Sequence, residues 1–98
     1  MVKVIGWSAE PEESKSGKPL LRIRITAEVY GVRSEYTITY GRRGADNATV
    51  GYAAARAGAP GGREADAERL AAVVKATTGK EPKVYQRSDG RIMIECSR

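Results

Sequence analysis

The sequence predicts an α+β domain: an antiparallel sheet of four to five strands in the order β-β-β-α-α-β-β, with two helices packed on one side. Three observations carry this. Apolar residues alternate strictly with polar ones through residues 20–30 and 32–40, the spacing turns helical over residues 63–78, and an Asp-Gly pair separates two short β-rich runs near the C-terminus. Strands that are grouped and do not alternate with helices point to antiparallel pairing.

Taken in order, Met1–Ser8 (MVKVIGWS) is a short β-rich run, and Ala9–Lys18 (AEPEESKSGK) reads as a solvated hairpin loop. In Leu20–Tyr30, Leu21, Ile23, Ile25, Ala27 and Val29 share one face, with Arg22, Arg24, Thr26, Glu28 and Tyr30 on the other. Gly31 supplies a tight turn. Val32–Tyr40 alternates again, with Tyr36, Ile38 and Tyr40 opposite Arg33, Glu35 and Thr37, and its tyrosines read as core-edge rings with solvated hydroxyls. After Gly41-Arg42-Arg43-Gly44, Asp46 or Asn47 caps an Ala-rich helix through Ala57, stopped by Gly58 and Pro60. A second helix runs from Arg63 to Thr78, with acidic residues in its first turn, Lys75 near its end, Gly79 after it, and Ala67, Leu70, Ala71 and Val74 as its apolar stripe. Lys83–Arg87 and Arg91–Ser97 flank Ser88-Asp89-Gly90. With Asp89-Gly90 as a two-residue turn, Tyr85 pairs with Ile94 and lies on the face of Ile92 and Cys96.

Ninety-eight residues support one domain with a thin core, and a single cysteine excludes a disulfide framework. The absence of histidine removes imidazole catalysis and, with one cysteine, most zinc, haem and iron–sulfur sites. No Ser or Thr has a histidine to activate it, so neither catalytic nor metal-binding residues are assigned, no cofactor is implied, and the chain reads as a non-enzyme. Cys96 shares the apolar parity of Ile92 and Ile94 and reads as core. Pro60-Gly61-Gly62-Arg63 lacks the spacing of phosphate-binding loops and reads as a turn and cap. No stretch has the roughly 18 apolar residues of a membrane span and no signal core opens the chain, so a cytoplasmic protein that does not engage membranes is expected.

The formal charge is +5, and its distribution is uneven. Residues 1–21 and 44–82 are each neutral; residues 22–43 hold five Arg against two Glu, and residues 83–98 four basic against two acidic side chains. The excess falls on segments that read as strands. Arg22, Arg24 and Arg33 with Tyr30 beside them, Arg42 and Arg43 near Tyr40, and Lys83, Tyr85, Arg87 and Arg91 supply the mixture of cations and flat rings that single-strand binders use, with Trp7 as a further ring whose parity leaves core and surface both open. Phosphates would meet the basic rim and bases would stack in an apolar cleft. RNA fits the same chemistry. The rival expectation is a protein-interaction or self-assembly domain, related to a mobile repeat element, whose open sheet meets another subunit.

ITAEVYGVRSEYTITYGRRGADNATVGYA and GGREADAERLAAVVKATTGKEPKVYQRSDGRIMIEC, covering most of the chain from about Trp7 onward, resemble the ThermoDBP-type single-stranded DNA-binding proteins of hyperthermophilic archaea and related archaeal repeat-family proteins. The resemblance implies a fold other than the OB-fold, with an extended apolar cleft edged by basic side chains and a role in DNA replication or repair. It also implies a homodimer joined by a C-terminal leucine-zipper helix. This sequence has no heptad segment after its last strand, so such a dimer would need a C-terminal segment absent from this chain.

Overall fold

A computed structural model describes residues 1–43 and 48–97. Strands β1 (Val2–Glu13), β2 (Pro19–Val29), β3 (Val32–Arg43) and β4 (Ala48–Ala54) precede helix α1 (Gly62–Thr78), and β5 (Lys83–Gln86) and β6 (Ile92–Ser97) follow it. They form one antiparallel sheet in the order β1-β2-β3-β4-β6-β5, with α1 on one face. The expected fold class, with four to five strands and two helices, is thereby corrected to a mostly β fold of six strands and one helix among the described residues. That helix is too short and too polar to cross a membrane.

The overturned helix is β4. Its Ala-rich composition suggests a helix, but the edges of β3 and β6 both need a partner, and β4 bonds to both. Alternation then decides the outcome. Gly51, Ala53 and Ala55 turn toward α1 and are buried, whereas Tyr52 and Ala54 face away. The proposed caps Asp46 and Asn47 lie outside the described residues.

β1 also runs farther than expected, through the segment read as a solvated loop. Glu10 and Glu12 stand opposite Arg22 and Leu20 on β2, and their carboxylates reach Arg24 at 3.3 Å and Arg22 at 2.8 Å. Pro11 is tolerated because β1 is an edge strand. The true loop is Ser14–Lys18, closed by Ser14 N–H donating to the Lys18 carbonyl at 2.9 Å. A bulge between Val4 and Gly6 shifts the parity of β1, so Val2, Val4 and Trp7 all turn to the helix side, opposite Val29, Ala27 and Ile25. At the C-terminus the hairpin loop has three residues. Arg87 N–H donates to the Arg91 carbonyl, Gly90 N–H to the Arg87 carbonyl, and Gly90 adopts φ 92°. The extra residue shifts the expected register: Tyr85 pairs with Met93 on the face away from α1, and Val84 takes the place beside Ile94. Arg91 N–H also holds the exposed Asp89 carboxyl below the usual carboxylate range.

Leu70, Val73 and Val74 of α1 are fully buried against Ile25, Ala27, Val29, Ile38 and Ile94. Burial of each such side chain stabilises by about 1.5–3 kcal/mol. Tyr36 is only 3% exposed, not a core-edge ring, and its hydroxyl has no hydrogen-bond partner among the described residues. Gly61 and Gly79, both left-handed, bound the helix, and Gly79 N–H caps the Lys75 carbonyl at 2.9 Å. Asp66, one of the acidic residues read at the start of this helix, is 1% exposed. Its carboxylate accepts from Arg56 N–H at 2.7 Å and from the Arg56 guanidinium at 3.2 Å, and lies 3.7 Å from Arg69, which in turn donates to the Pro60 carbonyl at 2.7 Å. This network fixes the segment joining β4 to α1.

Removing the Asp66 carboxylate leaves the buried Arg69 without a counter-charge. Asp66→Ala is expected to cost about 3 kcal/mol, read as a lower urea midpoint; a loss under about 1 kcal/mol would show that other contacts hold the connection.

Candidate nucleic-acid interface

β1, β2 and β3 extend beyond the last turn of α1 and leave apolar sheet uncovered. Val4, Trp7, Ile23, Ile38, Tyr40 and the end of the helix at Thr77 and Thr78 enclose a notch of ≈ 250 Å³. Through Ile23, Tyr40 and Thr78 it joins a wider groove of ≈ 950 Å³ that runs past Leu21 to Arg42. Trp7 is 71% exposed and Leu21 40%, so both present apolar surface to solvent. The Thr77 and Thr78 hydroxyls are spent on helix carbonyls, donating to Val73 and Val74 at 2.8 Å and 2.7 Å, and their oxygens remain able to accept.

Tyr40 is seated by its neighbours. A Cβ added at Gly51 would lie 2.7 Å from the Tyr40 ring and 2.8 Å from Cys96 Sγ, and the Tyr40 hydroxyl lies 3.4 Å from that sulfur. Buried Cys96 is thus a core side chain that also floors the ring.

On the face away from α1, a second groove of ≈ 880 Å³ lies between the Ser14–Lys18 loop and the floor formed by Thr39, Tyr52 and Met93. Lys18, Arg42 and Arg87 line it, and none of its described lining residues is acidic. Arg42, Leu20 and Gly41 border both grooves, so the basic and apolar surfaces meet at the ends of β2 and β3.

The residues expected to bind are therefore divided. Trp7, Tyr40 and Arg42 come together on the helix side, and Arg42 and Arg87 share the second groove. Tyr85 stands beside Arg87, whose guanidinium is 6.0 Å from its ring centre. Arg22, Arg24 and Arg33 lie together on the face away from α1, but in a balanced field: among the described side chains on that face of β1–β3, they and Lys3 number four, against Glu10, Glu12, Glu28 and Glu35. Arg22 and Arg24 are ion-paired to Glu12 and Glu10, and Arg33 stands opposite Glu28. Tyr30 occupies the β2–β3 turn with φ 51° at the far end of the sheet. Lys83 pairs in register with Glu95, and Arg91 is 2.8 Å from Asp89. Arg43 belongs to β3, but its side chain lies outside the described residues. Lys18, Leu21, Tyr52 and Met93 were not among the expected binders. The loop reading hid Lys18, the helix reading hid Tyr52, and the hairpin register hid Met93.

Among the described residues, no group of three or more His, Cys, Asp or Glu is placed to hold a metal ion. The chain matches no known protein family, and no characterised protein or solved structure is significantly similar to it.

Gly51→Ala would push the Tyr40 ring from its seat. The variant is expected to lose about 1–3 kcal/mol through overpacking and to lose the proximity of Tyr40 to Cys96 in NMR spectra; an unchanged ring environment would show that β4 gives way instead.

Proposed function

We propose that the protein is a non-catalytic, sequence-tolerant binder of single-stranded DNA, acting in the cytoplasm. The observation that carries the reading is the junction at Arg42, where a groove whose described lining is basic and includes no acidic side chain meets an apolar groove bearing an exposed Trp7 and the edge of Tyr40. Bases freed from a duplex stack on such rings, while Lys18, Arg42 and Arg87 neutralise phosphates. Duplex DNA keeps its bases stacked inside and offers only its phosphates. Neither stacking nor phosphate contact reads the 2′-hydroxyl, so RNA single strands bind the same surfaces.

The notch also suits a flat ring: it is apolar, and it ends at hydroxyl oxygens that can accept from an exocyclic amine. Phosphates are placed at the rim of the second groove, away from the neutralised Arg22 and Arg24.

Calorimetric titration with single-stranded and duplex DNA of one sequence tests this. Tighter single-strand binding is expected; equal or stronger duplex affinity would leave only a general polyanion binder. Three phosphate contacts give a slope of about −2 for log K against log salt. Replacing Lys18, Arg42 and Arg87 by Ala together should bring that slope close to zero, whereas Arg22→Ala with Arg24→Ala should leave it nearly unchanged. The reverse pattern would move the phosphate path to the face of Arg22 and Arg24.

A further inference from the structure

Resting on the reading of the notch as a seat for a base, we infer that Thr77 makes that seat selective: bases with an exocyclic amine, which are adenine, cytosine and guanine, are held more tightly than thymine or uracil. Binding still tolerates every sequence, but the tolerance is graded. The described lining of the notch holds no charged side chain, so hydrogen-bonding groups alone decide which edge of a base it prefers.

Those groups are few. Val4, Ile23, Ile25 and Ile38 supply only apolar surface, and the Tyr40 hydroxyl lies 3.4 Å from Cys96 Sγ. At the helix end, the Thr77 hydroxyl gives its one proton to the Val73 carbonyl at 2.8 Å, with the Val74 carbonyl at 3.3 Å. Its oxygen keeps two lone pairs and acts as an acceptor. Thr78 gives its proton to the Val74 carbonyl at 2.7 Å in the same way, but its oxygen already accepts from Lys80 N–H at 3.2 Å. Of the two threonines, Thr77 therefore has more left to offer a ligand.

The backbone at this end makes the same demand. α1 ends at Thr78, and Gly79 N–H returns to the Lys75 carbonyl, so the carbonyls of Ala76, Thr77 and Thr78 lie past the last intrahelical donor, at the negative end of the helix dipole. A flat ring seated between Trp7 and the helix end thus meets an acceptor in a negative field, and an N–H group answers both. An exocyclic amine projects two N–H bonds from its ring. Thymine and uracil offer one ring N–H, recessed between two carbonyl oxygens that would be pressed toward the same acceptor. The Trp7 indole N–H is a donor, but every base carries an acceptor, so it does not discriminate.

The test titrates the full chain with oligo(dC) and oligo(dU) of equal length, at slightly alkaline pH where cytosine is uncharged, and follows the fluorescence of Trp7, the one tryptophan of the sequence. The two rings are of nearly equal size and differ chiefly in carrying an amine or a carbonyl at one position. Oligo(dC) is expected to bind about fivefold more tightly, the effect of one net hydrogen bond at an exposed residue. Adenine should be preferred to unsubstituted purine, which lacks only the amine, to a similar degree. Thr77→Val removes the acceptor from an exposed position and should bring the members of each pair together by weakening the amine-bearing strand alone, whereas Thr77→Ser keeps the hydroxyl and should keep the preference. Equal affinity for oligo(dC) and oligo(dU), or a preference that survives Thr77→Val, would overturn the proposal and leave single-strand binding standing; a chain that binds no single strand at all would overturn both.

Discussion

One helix cannot cover this sheet, and the rest of the molecule follows from that shortfall. Seventeen residues of α1 make a rod about 25 Å long and about 10 Å wide, whereas β1, β2 and β3, of eleven or twelve residues each, run about 36–40 Å. Leu70, Val73 and Val74 build the core where they reach, and beyond Thr78 the apolar face of the sheet continues without a roof. Alternation places Trp7, Leu21, Ile23 and Tyr40 on that uncovered stretch as firmly as it places Ile25 and Ile38 under the helix. The apolar groove is the remainder of the core face.

Two local devices set where the remainder lies. The buried Asp66 carboxylate gathers Arg56 and Arg69 and holds the start of α1 at the far end of β4, so the helix ends toward β1 and β2. Gly51 lets the Tyr40 ring lie against β4, keeping it at the groove edge. Charge is partitioned as well. On the face of β1–β3 away from the helix, carboxylates answer the cations, and exposed ion pairs of this kind contribute little beyond register. Lys18, Arg42 and Arg87 meet no acidic side chain among the described lining of their groove, and the proposed phosphate path runs there.

What the sequence made legible follows from the range of the forces involved. The faces of β2 and β3 and the extent of α1 are written in local periodicity, because each buries one side against the same core. β4 is not, since an Ala-Gly segment has no strong local preference and is drawn into the sheet by two neighbours distant in sequence. The Val4/Gly6 bulge and the extra residue in the Ser88–Gly90 loop are single-residue events, yet each reverses a face: one brings Trp7 onto the core side, the other sends Tyr85 off it. The basic residues of the candidate site could be counted from the sequence. Which of them meet carboxylates depends on cross-strand register, and for Arg22 and Arg24 that register runs through a segment whose Pro, Ser and Gly imitate a loop.

The central claim, that the uncovered end of the sheet and not its charged face receives the ligand, is tested most directly by following backbone and indole NMR signals as a single-stranded oligonucleotide is added. The account predicts that the largest shifts fall on Trp7, including its indole N–H, on Leu21, on Tyr40 to Arg42 and on Lys18 and Arg87, with Thr26, Arg33 and Glu35 nearly unmoved. Shifts centred on Arg22, Arg24 and Arg33, with Trp7 and Tyr40 undisturbed, would contradict it.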